Sequence, residues 1–436
     1  MEQHIAASTD NRLVSSLSFQ LPSVANYIVE RTQTTFVPQG GNQYTPQGVR
    51  LIRFQLADPV QFLDPSTVRL QFDLVNLTPT PAGGAATPLT LLDTPHVLFQ
   101  RGRILVNGVQ VEDIQYYGRL CTMLRKLEPK NRLQDDLLET DWKQPIARGE
   151  RKRFMLDLPF GLFNQHLYIW LKVAPPTIEL ELPLNCMESI QGVDDRVWQI
   201  ENVQMKVDTV FCDSAFCDQY SQLLLQGSPL PIPIQSYQVQ MQTVSQNFDA
   251  WSINVNRAFS RLRAVLFTFF GTAVDTAAVA ERNPQIVALN QKRMNHFHHP
   301  MRGSNNWNLY DTMEYQMQIG SKTYPQYPVR GLNEAFYRLR EVLGHCTSGT
   351  VSIFGPNTYN HTEFIGALDL EKAVNGSGDG AAYSGPSTRG GEQLTLNLKN
   401  IPDVAGNGTG RASEVYLIML YDSLVNVRAE GVEVMS

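Results

Sequence analysis

The sequence is poor in charged side chains. Asp, Glu, Lys and Arg make up 18% of the 436 residues, whereas they supply about a quarter of an average soluble domain. The formal net charge is −6, and no Lys/Arg-rich tail is present. Because binding to the phosphates of nucleic acid needs concentrated positive charge, we expect no bulk attraction to nucleic acid and no sequence-specific nucleic-acid partner.

Cysteines and long apolar runs are scarce as well. The chain has five cysteines at scattered positions, Cys121, Cys186, Cys212, Cys217 and Cys346. Cys212 and Cys217 lack a second close pair, which argues against a zinc site. The apolar runs fall far short of the ~20 residues that cross a membrane, and the N-terminus has no basic segment followed by the apolar core of a signal peptide. We therefore expect an intracellular, reduced and soluble chain that is not secreted.

The motifs of common enzyme classes are missing. The chain has no Gly-x-Ser-x-Gly elbow, no His-Glu-x-x-His metal motif and no strand–Gly–Lys–Ser phosphate loop. His296, His298 and His299 form a dense cluster, but nothing nearby in the sequence supplies the further ligands that fix a metal ion. We therefore predict that the protein is not an enzyme, that it has no catalytic, cofactor-binding or metal-binding residues, and that it uses no cofactor.

Basic residues gather in two groups. These are Arg125, Lys126, Lys130 and Arg132 in the first, and Arg148, Arg151, Lys152 and Arg153 in the second. One interpretation is that they face an anionic membrane or a genome. The other is that they lie on a solvated face or contact acidic neighbours, and we favour it because most charge runs in proteins do so.

The stretch 251–270 predicts the kind of fold. Trp251, Ile253 and Val255 alternate with polar residues, which gives one apolar and one polar face at the two-residue period of a strand. From 265 to 270 apolar side chains occupy both faces, which is typical of a strand buried on two sides. A buried helix is the alternative, and the β-branched and aromatic content argues against it. A strand of this kind needs a second sheet packed against it, so the stretch indicates a β-sandwich.

Turns and loops separate further short strands. Asn107-Gly108 is the strongest short signal of a hairpin. The segments 78–88, 271–326 and 374–392 are polar or rich in Pro and Gly, and we predict that they are long loops, exposed or between subunits. The strand at 415–421 is expected to be central and buried on both faces.

The second half of the sequence repeats the order of the first. A helix with a cap at Glu112 or Asp113 is predicted in one half and a second helix in the other, and their apolar positions correspond. Those positions are Ile114, Tyr117, Leu120 and Leu124 in the first helix and Leu332, Phe336, Leu339 and Leu343 in the second. The alternating segments 166–173 and 393–400 match in the same way.

This repetition of order at low sequence identity predicts the fold class. We expect an all-β protein of two tandem eight-stranded antiparallel jelly-roll β-sandwiches with short helices in the connecting loops. The predicted parts are an N-terminal arm at 1–20, a first jelly roll at 21–212, a helix with a Pro-rich extended spacer at 213–233, and a second jelly roll at 234–436.

Four stretches carry a resemblance to a known family. They are INVNRAFSRL at 253–262, LPFGLF at 158–163 with the strand pair that follows it, VFCD at 210–213, and EFIG at 363–366 running through DLEK at 369–372 to YSG at 383–385. In these stretches the chain resembles the double jelly-roll major capsid proteins of large and medium double-stranded DNA viruses. The nearest likeness is to the capsid proteins of Polinton/Maverick elements and adintoviruses. It covers most of the chain after about residue 150, and the first third matches only in pattern.

The resemblance implies a structural role. In this family three chains form a homotrimer with a pseudo-hexameric outline, and such capsomers tile an icosahedral shell, often over an internal membrane. The implied partners are neighbouring capsomers, penton and minor capsid proteins and an internal membrane. The implied location is the virion, assembled inside the host cell.

Two other functions are weighed against a capsid role. A carbohydrate-binding or glycan-active β-sandwich needs exposed aromatic residues along a groove and paired carboxylates. The adjacent pairs Asp135-Asp136 and Asp194-Asp195 suit it poorly, because neighbouring side chains diverge on a strand. A minor capsid (penton) subunit usually needs one jelly roll, so the repeated layout argues against it.

Overall fold

A computed structural model of the chain describes residues 27–80, 88–128, 138–186, 189–191, 196–244, 249–270, 297–300, 311–346, 359, 363–371, 385–401 and 414–435. The structural findings below concern these residues. The predicted N-terminal arm at 1–20 lies outside them.

The first half of the described chain forms two main antiparallel sheets. Its elements are β1 (Ile28–Phe36), β2 (Gln43–Tyr44), β3 (Leu51–Gln55), β4 (Phe62–Leu63), β5 (Arg69–Asn76), β6 (Thr90–Leu91), β7 (Arg101–Val106), β8 (Val109–Gln115), α1 (Tyr117–Leu127), β9 (Arg151–Asp157), β10 (Ile169–Trp170), β11 (Pro176–Glu181), β12 (Ile190–Gln191) and β13 (Trp198–Cys212). The larger sheet has the order β10-β4-β13-β5-β9, with β1 and β2 also paired to β13. The smaller sheet has the order β3-β11-β7-β8, and β6 and β12 pair separately.

The second half repeats this arrangement after a helix. Its elements are α2 (Ser214–Leu225), β14 (Leu230–Thr243), β15 (Trp251–Val255), β16 (Leu262–Phe270), β17 (Glu314–Ile319), β18 (Lys322–Arg330), α3 (Gly331–Cys346), β19 (Gly366–Asp369), β20 (Leu394–Lys399), β21 (Glu414–Arg428) and β22 (Gly431–Met435). One sheet has the order β14-β21-β16-β19, with β22 also paired to β21. The other has the order β15-β20-β17-β18.

The two halves connect their strands in the same spatial order. The series β1-β13-β5-β9 corresponds to β14-β21-β16-β19, and β3-β11-β7-β8 corresponds to β15-β20-β17-β18. A helix follows the same strand in both, since α1 follows β8 and α3 follows β18. Two antiparallel sheets connected in this way form a jelly roll, so the predicted class of two tandem jelly-roll β-sandwiches is confirmed. We call β1–β13 the first roll and β14–β22 the second roll.

The strands β16 and β21 form the centre of the second roll, as the two-faced apolar pattern predicts. Both are buried along nearly their whole length. The ring centroids of Phe267 on β16 and Tyr315 in the opposing sheet are 4.8 Å apart. Trp251, also in the opposing sheet, lies 6.1 Å from Phe269. One face of β16 therefore fills the space between the two sheets of the sandwich.

The predicted hairpin at Asn107-Gly108 joins β7 to β8. Its two central residues have φ angles of 50° and 80°, the left-handed region that a two-residue hairpin of this type needs. Val106 and Val109 pair directly on either side of the turn. The prediction is confirmed.

The predicted loop at 271–326 is wrong at its C-terminal end, because β17 and part of β18 lie within it. Tyr315, Met317 and Ile319 of β17 are buried, and the polar residues between them are half-exposed. The strand β18 was not recognised in the sequence because it contains Pro325 and Pro328. Prolines are tolerated there because β18 is the last strand of its sheet, where one row of backbone groups needs no partner.

Two further expectations for the first roll are wrong. The strand β8 runs on to Gln115 and includes Ile114, and α1 begins only at Tyr117, after Tyr116 with a φ angle of 54°. The segment 166–173 does not correspond to 393–400. It contains only the short β10, which pairs with β4, whereas β20 takes the place of β11.

The connection between the rolls begins with α2, as predicted, and Gly227 follows this helix with a φ angle of 83°. The Pro-rich segment after it is not a free spacer. Leu230 already pairs with Val427, so this segment forms the first residues of β14. Phe216 of α2 stacks on Tyr27 beside β1, with ring centroids 5.0 Å apart, so the helix packs against the first roll.

The strands that precede the predicted loops end at two different ends of the rolls. Asn76 ends β5 opposite Trp198, the first residue of β13, and Phe270 ends β16 opposite Glu414, the first residue of β21. The segments after Asn76 and Phe270 therefore start from equivalent ends of the two rolls. By contrast, β19 pairs Asp369 with the start of β16, so the segment after β19 starts from the opposite end.

Candidate functional site: the junction between the two rolls

The two rolls meet along a buried junction. The first roll contributes β8, α1 and residues 158–166, and the second contributes β14, β16 and β21. A bulge in β8 at Val111 places this residue and Glu112 in buried positions although they are neighbours in the strand. Bulges re-aim side chains in this way where a strand meets a partner.

The carboxylate of Glu112 is the polar centre of the junction. It is 1% exposed and accepts hydrogen bonds from the backbone N–H groups of Gly161 (3.0 Å) and Leu162 (2.9 Å). Ser236 of the second roll donates the third, at 2.6 Å. Burial raises the pKa of Glu112, and the hydrogen bonds from Ser236, Leu162 and Gly161 act in the opposite direction. Because its oxygens are satisfied from both rolls, this carboxylate fixes how the rolls face each other.

Gly161 allows a close backbone approach at the junction. A Cβ atom at this position would lie 2.0 Å from the carbonyl oxygen of Gln235 on β14. No side chain fits there without moving one of the two backbones. The glycine of the LPFGLF stretch therefore lets the two rolls come into contact.

Arg119 of α1 inserts into an aromatic pocket of the second roll. Its guanidinium carbon lies 4.3 Å from the ring centroid of Tyr416, 5.5 Å from that of Phe270 and 6.0 Å from that of Phe297. Only 5% of Arg119 is exposed, so these cation–π contacts act where water is excluded. On the same helix Lys126 forms an ion pair of 2.7 Å with Glu363 of the second roll.

A cavity of about 620 Å³ opens between the rolls. On the first-roll side His96, Arg125 and Asp157 line it, and the carboxylate of Asp157 lies 3.0 Å from Arg125 and 3.5 Å from His96. Burial alone would raise the pKa of Asp157, but the hydrogen bond and charge of His96 and the charge of Arg125 hold it well below its usual range. The acid is therefore fully ionised and engaged with its neighbours, which does not suit it for proton transfer at neutral pH.

Of the six described members of the two basic groups, four contact acidic neighbours, in agreement with the favoured interpretation, while Arg148 donates to the hydroxyl of Thr80 and Arg151 lies exposed on β9. The ion pairs are Arg125–Asp157 at 3.0 Å, Lys126–Glu363 at 2.7 Å, Lys152–Asp141 at 3.1 Å and Arg153–Asp73 at 2.8 Å. Lys130 and Arg132 lie outside the described residues. A basic surface directed at a membrane or genome is not formed by these four side chains.

The two described histidines of the cluster are buried. His298 and His299 are 3% and 1% exposed, and His298 stacks on Phe270 while His299 meets Phe364 edge-on. His296 lies outside the described residues. Within the described ranges no group of three or more His, Cys, Asp or Glu side chains is placed to hold a metal ion.

Sequence reasoning missed the residues of the junction. Glu112 was expected to cap a helix, and instead it is an acceptor within a strand. Gly161 lay in a stretch that only the family resemblance singled out. Arg119 was not distinguished from the other charges on α1. Each acts as a single residue whose partner lies more than 40 positions away, so no local pattern marks it.

The comparisons with known proteins agree with the topology. Over 96% of this chain and 94% of the other, the structure is similar to the Faustovirus major capsid protein, with a TM-score of 0.63 and 10% identity. It is also similar to PBCV-1 VP54 as fitted into the virophage Sputnik (TM-score 0.61, 12% identity, 96% and 100% of the two chains). A third similar structure is the PBCV-1 virus capsid (TM-score 0.59, 13% identity, 96% and 100%).

These neighbours are double jelly-roll major capsid proteins of large double-stranded DNA viruses and virophages. Sequence identities of 10–13% show that the fold is shared, and they show no closer relationship. No protein-family model and no curated protein matches the sequence. In the described part of the chain, no helix combines the length and the apolar character needed to cross a membrane.

Proposed function

We propose that the protein is a structural subunit of an icosahedral viral capsid, in which three copies form a pseudo-hexameric capsomer. The observation that carries this proposal is the buried junction that holds two rolls of the same strand order side by side. Three such chains around a threefold axis place six similar rolls in a closed ring. The fold shared with the Faustovirus major capsid protein supports the same role.

A capsid subunit of this kind needs a fixed angle between its two rolls, and the junction provides it. Glu112, Gly161 and Arg119 each engage the second roll at a buried position. Interfaces between domains of one chain are often small and allow relative motion. Here a satisfied buried carboxylate and a close backbone contact oppose such motion, so one chain behaves as a rigid pair of rolls.

The wider assignments follow from this role. We assign an arm at 1–20, a first roll at 21–212, a connection that begins at 213 and ends before β14, and a second roll that begins with β14 at Leu230 and runs to 436. The partners are two further copies, neighbouring capsomers, penton and minor capsid proteins and an internal membrane under the shell. The place of action is the virion, assembled within the host cell, and we assign no enzymatic activity.

The glycan-active alternative is not favoured. Its candidate carboxylate pairs at 135–136 and 194–195 lie outside the described residues. Asp157 lines the junction cavity, where its carboxylate forms an ion pair with Arg125 and lies 3.5 Å from the ring of His96. A glycosidase acid needs a raised pKa, whereas the pKa of Asp157 is lowered.

Size-exclusion chromatography with light scattering tests the proposal. We expect a species with the mass of three 49.1-kDa chains, stable on dilution to micromolar concentration. A stable monomer over the whole concentration range would contradict the capsomer.

A further inference from the structure

Each side of the junction inside one chain has a counterpart on the other roll. It joins the β8–α1 side of the first roll to the outer face of β14, β16 and β21 in the second. Because both rolls have the same strand order, the second roll carries β18 and α3 at the places of β8 and α1. The first roll likewise carries β1, β5 and β13 at the places of β14, β16 and β21.

The β7–β8 and β17–β18 hairpins are each interrupted by a bulge in their second strand, after the second residue pair from the turn in β8 and after the third in β18. In β8 the extra residue is Val111, next to Glu112 at the junction. In β18 the residues between Tyr324 and Val329 bulge out opposite Gln316, whose side-chain amide donates to the backbone carbonyl of Pro325 at 2.8 Å. The bulge of β8 is buried against the second roll, whereas that of β18 faces solvent within this chain.

The bulge of β18 presents an aromatic side chain. Tyr327 is 79% exposed, one of the highest values among the large apolar side chains of the described residues. On α3, which starts directly after β18, Asn333, Tyr337 and Arg340 are exposed at helical spacing and so share one face. Tyrosine is enriched in the central contacts of protein interfaces, because a rigid ring and a hydroxyl group together bury well against polar surfaces.

The first roll offers the matching surface on β1. Counted from the first residue of each strand, Gln33 and Thr35 of β1 occupy the places of Gln235 and Tyr237 of β14. Gln235 and Tyr237 line the junction and are half-buried, whereas Gln33 and Thr35 are exposed. In the described chain β1 pairs only with β13, so it forms an open edge of its sheet.

We propose that the β18 bulge and the exposed face of α3 in one copy dock on the outer face of β1 in a second copy. This contact repeats the relation between the two rolls of one chain, with Tyr327 packed near Gln33 and Thr35. It is heterologous, since each copy offers one surface of each kind, and it closes into a ring when three copies are joined. The inference rests on the proposed capsomer and names the interface that builds it.

Two substitutions on the two surfaces test the proposal. Tyr327→Arg removes the ring from the bulge, and Thr35→Arg places a second cation beside Lys206 on the receiving face. Val49→Arg is the control, since Val49 is 61% exposed but lies beside β3 in the other sheet of the first roll. Circular dichroism and the melting temperature check that each variant is folded, and Gln33→Lys replaces Thr35→Arg if that variant is not.

The masses are measured by light scattering for each variant alone and for an equimolar mixture. We expect each of the two variants to fall from the mass of three chains to that of one, while Val49→Arg keeps three. In the mixture, the intact β18 of one variant meets the intact β1 of the other, so a two-chain species is expected and no larger one.

The other outcomes separate this inference from the function on which it rests. A wild-type protein that is monomeric would overturn the capsomer itself. A three-chain wild type whose two variants also keep three chains would leave the capsomer intact and overturn these surfaces. Variants that dissociate but do not pair in the mixture, or a control that dissociates as well, would show that the two surfaces do not meet.

Discussion

Ser236 of the second roll donates a 2.6 Å hydrogen bond to the buried carboxylate of Glu112 in the first roll. The same carboxylate is held by two backbone N–H groups of its own roll. A buried acceptor of this kind stabilises a structure only while all its donors are in place, because each group left unsatisfied costs about 1–3 kcal/mol. The contact therefore couples the folding of one roll to the position of the other.

Substitution of Glu112 tests this coupling. Glu112→Gln replaces one acceptor oxygen by an NH₂ group that faces a backbone N–H, and we expect a loss of about 2–3 kcal/mol in the free energy of unfolding. Ser236→Ala removes one donor and should cost about 1 kcal/mol. In urea unfolding the double variant should lose less than the sum of the two. Glu30→Gln, at an exposed position, should change nothing, and strict additivity would argue against the coupling.

Gly161 should tolerate no side chain. Gly161→Ala brings a Cβ atom within 2.0 Å of the Gln235 carbonyl oxygen, so the rolls must move apart at a cost of about 1–3 kcal/mol. We expect a lower melting temperature and faster proteolysis of the connection near Gly227. Gly41→Ala is the matched control, because no atom lies within 4 Å of its added Cβ. Equal behaviour of the two variants would contradict the close approach.

Arg119 should not be replaceable by lysine. Its planar guanidinium lies over Tyr416 at 4.3 Å, and an ammonium group cannot stack on a ring in this way. For Arg119→Lys we expect a loss of about 1–2 kcal/mol in thermal or urea unfolding. Arg151→Lys, at an exposed position of β9, should leave stability within about 0.5 kcal/mol of the wild type. If the two substitutions cost the same, the aromatic pocket does not contribute.

Asp422 should make stability depend on pH. Burial raises its pKa from 3.8 to about 6; Glu371 adds to this effect, and Arg263 and Arg261 oppose it. Because the folded protein holds this proton more tightly than the unfolded chain, the contribution is complete below pH 3.8 and is lost as the pH rises through about 6. The loss amounts to at most about 3 kcal/mol.

Asp422→Asn removes the titrating group and should flatten this slope. We therefore expect the urea midpoint of the variant to rise relative to the wild type between pH 4 and pH 7. Asp218→Asn, at an exposed position of α2, should keep the wild-type profile. Parallel curves for the wild type and Asp422→Asn would show that Asp422 titrates near its ordinary value.

The sequence predicts the centre of each sandwich and not its borders. The strands at 251–270 and 415–421 are recognisable because their apolar side chains follow a period of two or fill both faces. The turn at Asn107-Gly108 is recognisable because both central residues of such a hairpin need positive φ angles, which Asn and Gly adopt most readily. The strand β17 was missed although Tyr315, Met317 and Ile319 alternate with polar residues, because it lies at the end of a long polar segment. The strand β18 was missed because two prolines interrupt it, and they are tolerated because β18 is the last strand of its sheet.

The functional surfaces were the least predictable part. The junction depends on pairs such as Glu112 with Ser236, separated by 124 residues, and neither residue type signals a contact on its own. The family resemblance supplied the double jelly roll, which the strand order and the structural neighbours confirm. The nearer likeness to Polinton/Maverick and adintovirus capsid proteins stays a prediction.

Electron micrographs of the purified protein test the capsomer most directly. Class averages should show particles of six lobes in a ring with threefold symmetry, in which two kinds of lobe alternate because the two rolls differ. Averages dominated by isolated two-lobed particles, or by assemblies of two or four chains, would contradict the account.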